Sequence, residues 1–163
     1  AEYMGEVAGR MDGGVICAVI AMDWRSMFYS ACSVCEKPLP ESSISNCRYC
    51  IKYNTTSSLP PFKRFFRVVI SIATSNKVHN VICFDRAARV LMGCSADEYC
   101  QFSNNPRIGA TVAKILEGEM FEMILTKPKN GNAQHLRVSS IKPLRKDFRP
   151  AMEIVHELLA SRT

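Results

Sequence analysis

The chain has 163 residues, 47% of them apolar, with a formal charge of +6 and a pI near 9.0. That is one ordinary domain with enough apolar material for a core, which excludes an intrinsically disordered chain. Apolar runs such as Val15–Met22 and Val68–Ala73 fall far short of the roughly 20 residues that cross a bilayer, and no charged-then-apolar leader opens the chain. A soluble, intracellular protein with no membrane partner is expected. Because its first residue is Ala, the chain is also expected to be a segment of a longer polypeptide.

Gly13 to Ile20 reads as a strand after a glycine turn, and Met27 to Ala31 as a second that runs straight into Cys32. Here the spacing changes meaning. Cys32, Cys35, Cys47 and Cys50 form C-x2-C-x11-C-x2-C, two knuckles whose thiolates can reach one tetrahedral ion at about 2.3 Å. Pro38, Pro40, Ser42, Ser43, Ser45 and Asn46 between them suit a ribbon of turns. A structural Zn2+ is expected, in a ribbon insert at about 32–53. Four protein ligands leave no open position for a catalytic water. Redox chemistry of a single C-x-x-C is the competing reading, and it leaves the second pair unexplained. Cys17, Cys83, Cys94 and Cys100 stand among apolar residues or in a helical stretch, where cysteine serves as a small hydrophobe.

After a polar connector ending in Pro60 and Pro61, Arg64 to Thr74 alternates. Phe66, Val68, Ile70 and Ile72 share one face, and Phe65, Arg67, Val69 and Ser71 share the other. Ser75–Lys77 is a turn, and Val78 to Phe84 the returning hairpin strand. Asp85 starts a helix through Met92 that Gly93 can end. Ser95 with Glu98 has capping-box spacing for a second helix to about Phe102, and Ile108 to Leu116 is a third. Met120 to Thr126 and His135 to Ile141 are strands joined by the polar loop Lys127–Gln134. About five strands with helices before the last hairpin is the layout of a small, partly open barrel rather than a sandwich. The fold class expected is mainly β with helices.

Asp147 and Pro150 open a last helix running to about Leu159. On its wheel Ala151, Met152, Ile154, Val155, Leu158 and Leu159 fill one continuous arc, wider than the ~100° stripe that a single neighbour covers. Docking on the chain's own core accounts for part of that arc. Association with helices of partner subunits accounts for the rest, and 147–163 is read as an assembly helix following a domain at 1–146.

The positive charge sits in two segments. Residues 32–67 hold six basic against two acidic side chains and residues 127–163 eight against three, whereas the intervening stretches are slightly acidic. Brought to one side, these segments form a basic stripe suited to a polyanion; kept apart, they are solvated faces. Asp85, Asp97 and Glu98 lie near helix starts, where caps and dipoles account for carboxylates, so a magnesium-dependent nuclease is disfavoured and no catalytic residue is named. His79, His135 and His156 have no ligand-spaced partners.

Taken in order, these pieces resemble the C-terminal domain of the large subunit of replication protein A. The resemblance rests on Met27-Phe28-Tyr29-Ser30-Ala31-Cys32 leading into the knuckles and on Phe62-Lys63 with Phe66-Arg67-Val68-Val69-Ile70-Ser71. It continues through Phe84, Leu91-Met92-Gly93-Cys94-Ser95-Ala96-Asp97-Glu98 and Ile141-Lys142-Pro143. It implies an OB-fold barrel with an inserted zinc ribbon, and a terminal helix that joins smaller OB-fold subunits in a nuclear heterotrimer. It also implies contact with single-stranded DNA. Phe84 matches the family position whose ring stacks on a base. Trp24, Phe28 and Phe65 are further ring candidates, although Phe28 and Phe65 suit packing in the core or under the ribbon better than stacking on a base. Arg67, on the outer face of its strand, and Lys127, Lys129 and Arg137, in or beside the last hairpin, are placed to meet phosphate. The last hairpin loop lacks the aromatic that the family often offers a base, and the turn at Ser75–Lys77 is short. Those departures point toward a divergent large subunit, or a meiotic or telomeric paralogue that serves as a non-DNA-binding scaffold. An RNA-binding zinc-ribbon module is the remaining alternative, with no clear reader of the 2′-hydroxyl.

Overall fold

The computed structural model describes residues 14–39, 62–102, 104–128 and 135–161. Among them are six strands and four helices. The order is β1 (Val15–Met22), β2 (Phe28–Cys32), β3 (Phe62–Ala73), β4 (Val78–Phe84), α1 (Asp85–Met92), α2 (Ala96–Cys100), α3 (Pro106–Leu116), β5 (Met120–Thr126), β6 (Leu136–Pro143) and α4 (Ala151–Ala160).

The strands lie in the order β1-β5-β6-β4-β3-β2, and β1 also pairs with β3. The pairings therefore return on themselves: β1, β5, β6 and β4 each have two neighbours, and β3 has three, β4 and β1 within the circuit and β2 beside it. All are antiparallel except β4 with β6, where Val81 faces Leu136 and Ile82 faces Arg137. β2, the strand expected at Met27–Ala31, stands outside that circuit. It prolongs the line of β1 along the same edge of β3, with Ala18 opposite Ala73, Met22 opposite Ile70, Phe28 opposite Phe66 and Cys32 opposite Phe62. Asp23 N donates to Val69 O at 2.9 Å and Arg67 N to Met27 O at 2.7 Å across the break. The unbroken alternation of β3 lets one strand of twelve residues serve both partners.

Alternation sets the core. Cys17, Val19, Phe66, Val68, Ile70, Ile72, Val81, Cys83, Phe121, Met123 and Leu125 point inward with Leu91, Met92, Val112 and Leu116 of the helices above them, and no charged or polar side chain is buried among the described residues. In β1 the pairing shifts between Val19 and Ala21, leaving Ala21 exposed beside Ile20 and returning Met22 to the core. Burial pushes the Cys17 thiol up to about 11 and the Cys83 thiol up to about 12. A cysteine held neutral in this way packs as a hydrophobe.

The helices start and stop where their caps dictate. Phe66 N donates to Asp85 Oδ1 at 3.0 Å, and Arg89 Nε to Asp85 Oδ2 at 2.8 Å, so one carboxylate ties the first turn of α1 to β3. Both halves of the Ser95–Glu98 capping box form, and Asn105 caps α3. Gly93 closes α1 at φ +78°, where a Cβ would lie 2.4 Å from Pro150 Cβ. That close approach seats the start of α4, which packs on α3 and α1.

Candidate nucleic-acid interface

The side of β2, β3, β4 and β6 opposite the core carries rings and cations in alternating register. Tyr29 faces Phe65, their centroids 5.9 Å apart. Lys63 Nζ lies 5.1 Å from the Phe65 centroid while holding Glu36 Oε2 at 2.5 Å. Two residues along β3, exposed Arg67 faces Phe84 at the end of β4. From β6, the guanidinium of Arg137 sits 4.4 Å from the Phe84 ring centroid, within cation–π range. Val69 and Ile82 continue the row. Burial raises the Tyr29 hydroxyl above its ordinary range, Asp85 and Glu36 adding to the rise and Arg137 opposing it.

Three of the expected DNA-facing residues thus meet at one place: Phe84, Arg67 and Arg137. Exposed Lys127 follows Thr126, which pairs with Arg137, and stands at the same end of the sheet. Lys129 lies outside the described residues. Trp24 and Phe28 are not in this row. Half-buried Trp24 packs over Gly109 of α3, where a Cβ would come within 2.9 Å of its ring. Phe28 shares the face of Phe66 and packs edge-on against Tyr99, with centroids 6.4 Å apart. Tyr29 and Lys63 were not singled out from the sequence. Their signal was available, because adjoining residues of a strand take opposite faces and Tyr29 is one residue from Phe28.

The two basic segments are only partly combined. Lys63, Arg64 and Arg67 of the first, and Lys127 and Arg137 of the second, lie on or beside these four strands. Arg145 is tied to Glu119 and to Asp147, and Arg149 to Glu153 at 3.0 Å and to Glu157, beside the terminal helix.

Cys32 is fully buried beside Cys35 and Leu39. Its Sγ accepts from Val34 N at 3.4 Å, and the chain turns back through Glu36, at φ +63°, to pair Ala31 with Pro38. An amide aimed at sulfur within a tight C-x-x-C turn suits a thiolate that holds a metal. Cys47 and Cys50, the other expected ligands, lie outside the described residues.

In α4, Ala151, Met152 and Val155 are buried in the chain's own core and Ile154 is half-buried, whereas Leu158 is 48% and Leu159 39% exposed. His156 stacks at 5.0 Å on Phe102. Half of the expected assembly face is therefore closed by the domain itself.

These features define a mainly β protein whose outer strand face is set with rings and cations. The chain belongs to the family described as the replication factor-A C-terminal domain, whose model matches residues 14–144. Among solved structures, yeast RPA bound to ssDNA superposes with a TM-score of 0.64 at 16% identity, covering 99% of this chain and 94% of that one. A replication protein A heterotrimer bound to ssDNA gives a TM-score of 0.63 at 15% identity over 90% of this chain, which spans 34% of that longer one. No curated protein matches the chain.

Proposed function

We propose that the chain is a single-stranded-DNA-binding and subunit-assembly domain of a replication-protein-A-like large subunit, acting without catalysis in nuclear DNA replication, repair or recombination. The observation that carries this reading is the cluster of Phe84, Arg67 and Arg137 on the outer sheet face. It combines what a single strand needs: a ring for a base, and cations for the phosphates on either side. The closed circuit of five strands is then an OB-fold barrel, and β3 with β4 is the face such barrels offer to oligonucleotides. Both solved neighbours are RPA structures bound to ssDNA, which supports the same reading. The exposed end of α4, with Ile154, Leu158 and Leu159, would meet the helices of smaller OB-fold subunits.

A structural Zn2+ held by Cys32, Cys35, Cys47 and Cys50 completes the proposal. Bound there, the ion would clamp the two knuckles and supply no reaction. One zinc per chain by elemental analysis, lost in Cys32→Ser, is the expected result.

The test of the main reading is titration of the zinc-loaded chain with fluorescent single-stranded and duplex oligonucleotides at two salt concentrations. Salt-sensitive preference for single strands is expected. Failure to bind, with a stoichiometric complex on adding partner subunits, would assign the domain to scaffolding in a specialised paralogue.

A further inference from the structure

On the opposite side of β2 and β3 from the ring-and-cation row lies a cleft of about 310 Å³ lined by Phe28, Arg64, Asp97, Cys100, Gln101 and Asn104. Its floor and walls come from the edge of the sheet and from α2. Phe28 is held by its edge contact with Tyr99. The guanidinium of Arg64 lies 5.3 Å from the Phe62 centroid, with Nη1 3.6 Å from Asp97 Oδ1, and the backbone N of Arg64 donates to both oxygens of the same carboxylate at 3.3 Å. Gln101 and Asn104 are exposed at the rim.

We propose that this cleft takes one unstacked nucleotide of a bound single strand, a subsite separate from the Phe84 row; the inference rests on the DNA-binding reading above. A half-buried ring supplies an apolar wall for a base, and Arg64 a charge for its phosphate. Two carboxamides and a carboxylate at the mouth meet the amino and carbonyl groups of a base edge, which an apolar pocket would leave unpaired. Lys37–Leu39 pairs along the outer edge of β2 from Ser30 to Cys32, so the route passes the other end of the strand, where Tyr29 and Phe28, adjacent residues, open on its two sides. A strand lying on Tyr29 and Phe65 reaches the cleft by turning round the edge there.

The experiment measures affinity for single-stranded oligonucleotides of increasing length, using the zinc-loaded chain and its Phe28→Leu, Gln101→Ala/Asn104→Ala and Phe84→Ala variants. Phe28→Leu keeps an apolar contact with Tyr99, and the double variant alters only exposed side chains, so a folding defect in the first leaves the second to decide. The expected result is a step in affinity at the length that reaches the cleft. That step should fall about 5-fold or more in the cleft variants, the loss of one base contact, with short oligonucleotides unaffected. Phe84→Ala should weaken every length. If Phe84→Ala weakens binding and the cleft variants match the unaltered chain at all lengths, the subsite is overturned and the main reading stands. If no variant weakens binding, both fall.

Discussion

Truncating Phe84 to alanine isolates the stacking contribution from the electrostatic one. The ring is half-buried on the outer face, outside the buried core, and Phe84 at the N-cap of α1 makes no side-chain capping bond. The helix start, held by Asp85, is untouched. The folded chain loses the contact with Arg137, about 0.5–1 kcal/mol for an exposed cation–π pair, and the burial of a partly covered ring, about 1–2 kcal/mol, so the melting temperature should fall by about 3–12 °C. Bound DNA loses one stacked base, about 1–3 kcal/mol, or roughly 5- to 150-fold in Kd. Because no charge is removed, the slope of log K against log salt should stay the same, whereas Arg137→Ala should lower it by about 0.7 for one phosphate of a single strand. Fluorescence anisotropy with a labelled single strand, over a series of salt concentrations, reads both numbers. A Phe84→Ala affinity within about two-fold of the unaltered chain, with the fold intact, would refute the argument that this ring carries a base.

Gly93→Ala should destabilise the domain by about 2–5 kcal/mol, combining a left-handed backbone with overpacking against Pro150; thermal unfolding is the check, and an unchanged midpoint would contradict the close approach seen there. Leu158→Asp, at a side chain 48% exposed, should leave the melting curve unchanged while abolishing co-elution with partner subunits in size exclusion with light scattering. Hydrogen bonds from the backbone and side chain of Ser95 lower the pKa of Glu98 from 4.5. Its contribution to stability is therefore fully present above about pH 4.5 and is lost as pH falls through the depressed value. Chemical denaturation of Glu98→Gln beside the unaltered chain should show a gap at neutral pH that closes in acid; a gap that widened would contradict the sign.

Local chemistry made much of this fold legible. The face assignment of Phe65 to Ile72, the ends of β4, α1 and β5, and the box at Ser95 each follow from a pattern within a few residues. Elsewhere the outcome depended on a distant partner. Met22 joins Cys17 and Val19 in the core, and Ala21 stays outside, because β1 bulges against β3, a displacement that no periodicity in Val15–Met22 announces. Trp24 faces α3 because Gly109 leaves room for its ring. The arc of α4 was visible as apolar, yet its division between Ala151, Met152 and Val155 inside and Leu158 and Leu159 outside depends on where α1 and α3 lie. Likewise the positive charge of residues 127–163 is plain in the sequence, but Arg145 and Arg149 are engaged by carboxylates, leaving Arg137 and Lys127 to the sheet. Cross-strand register, which brings Arg137 over Phe84, is a property of three strands together and is not written in any one of them.

The docking of α4 would also limit how a complex built on it could move. Val155, the last buried residue of α4, is only four positions from Leu159, about 6 Å along the helix axis. Partners gripping that end would stand roughly one turn from this domain's own core, with almost no slack between them. Such an assembly would behave as a rigid joint rather than beads on a tether, and swinging the outer face of the sheet away from its neighbours would require α4 to be prised off α1 and α3.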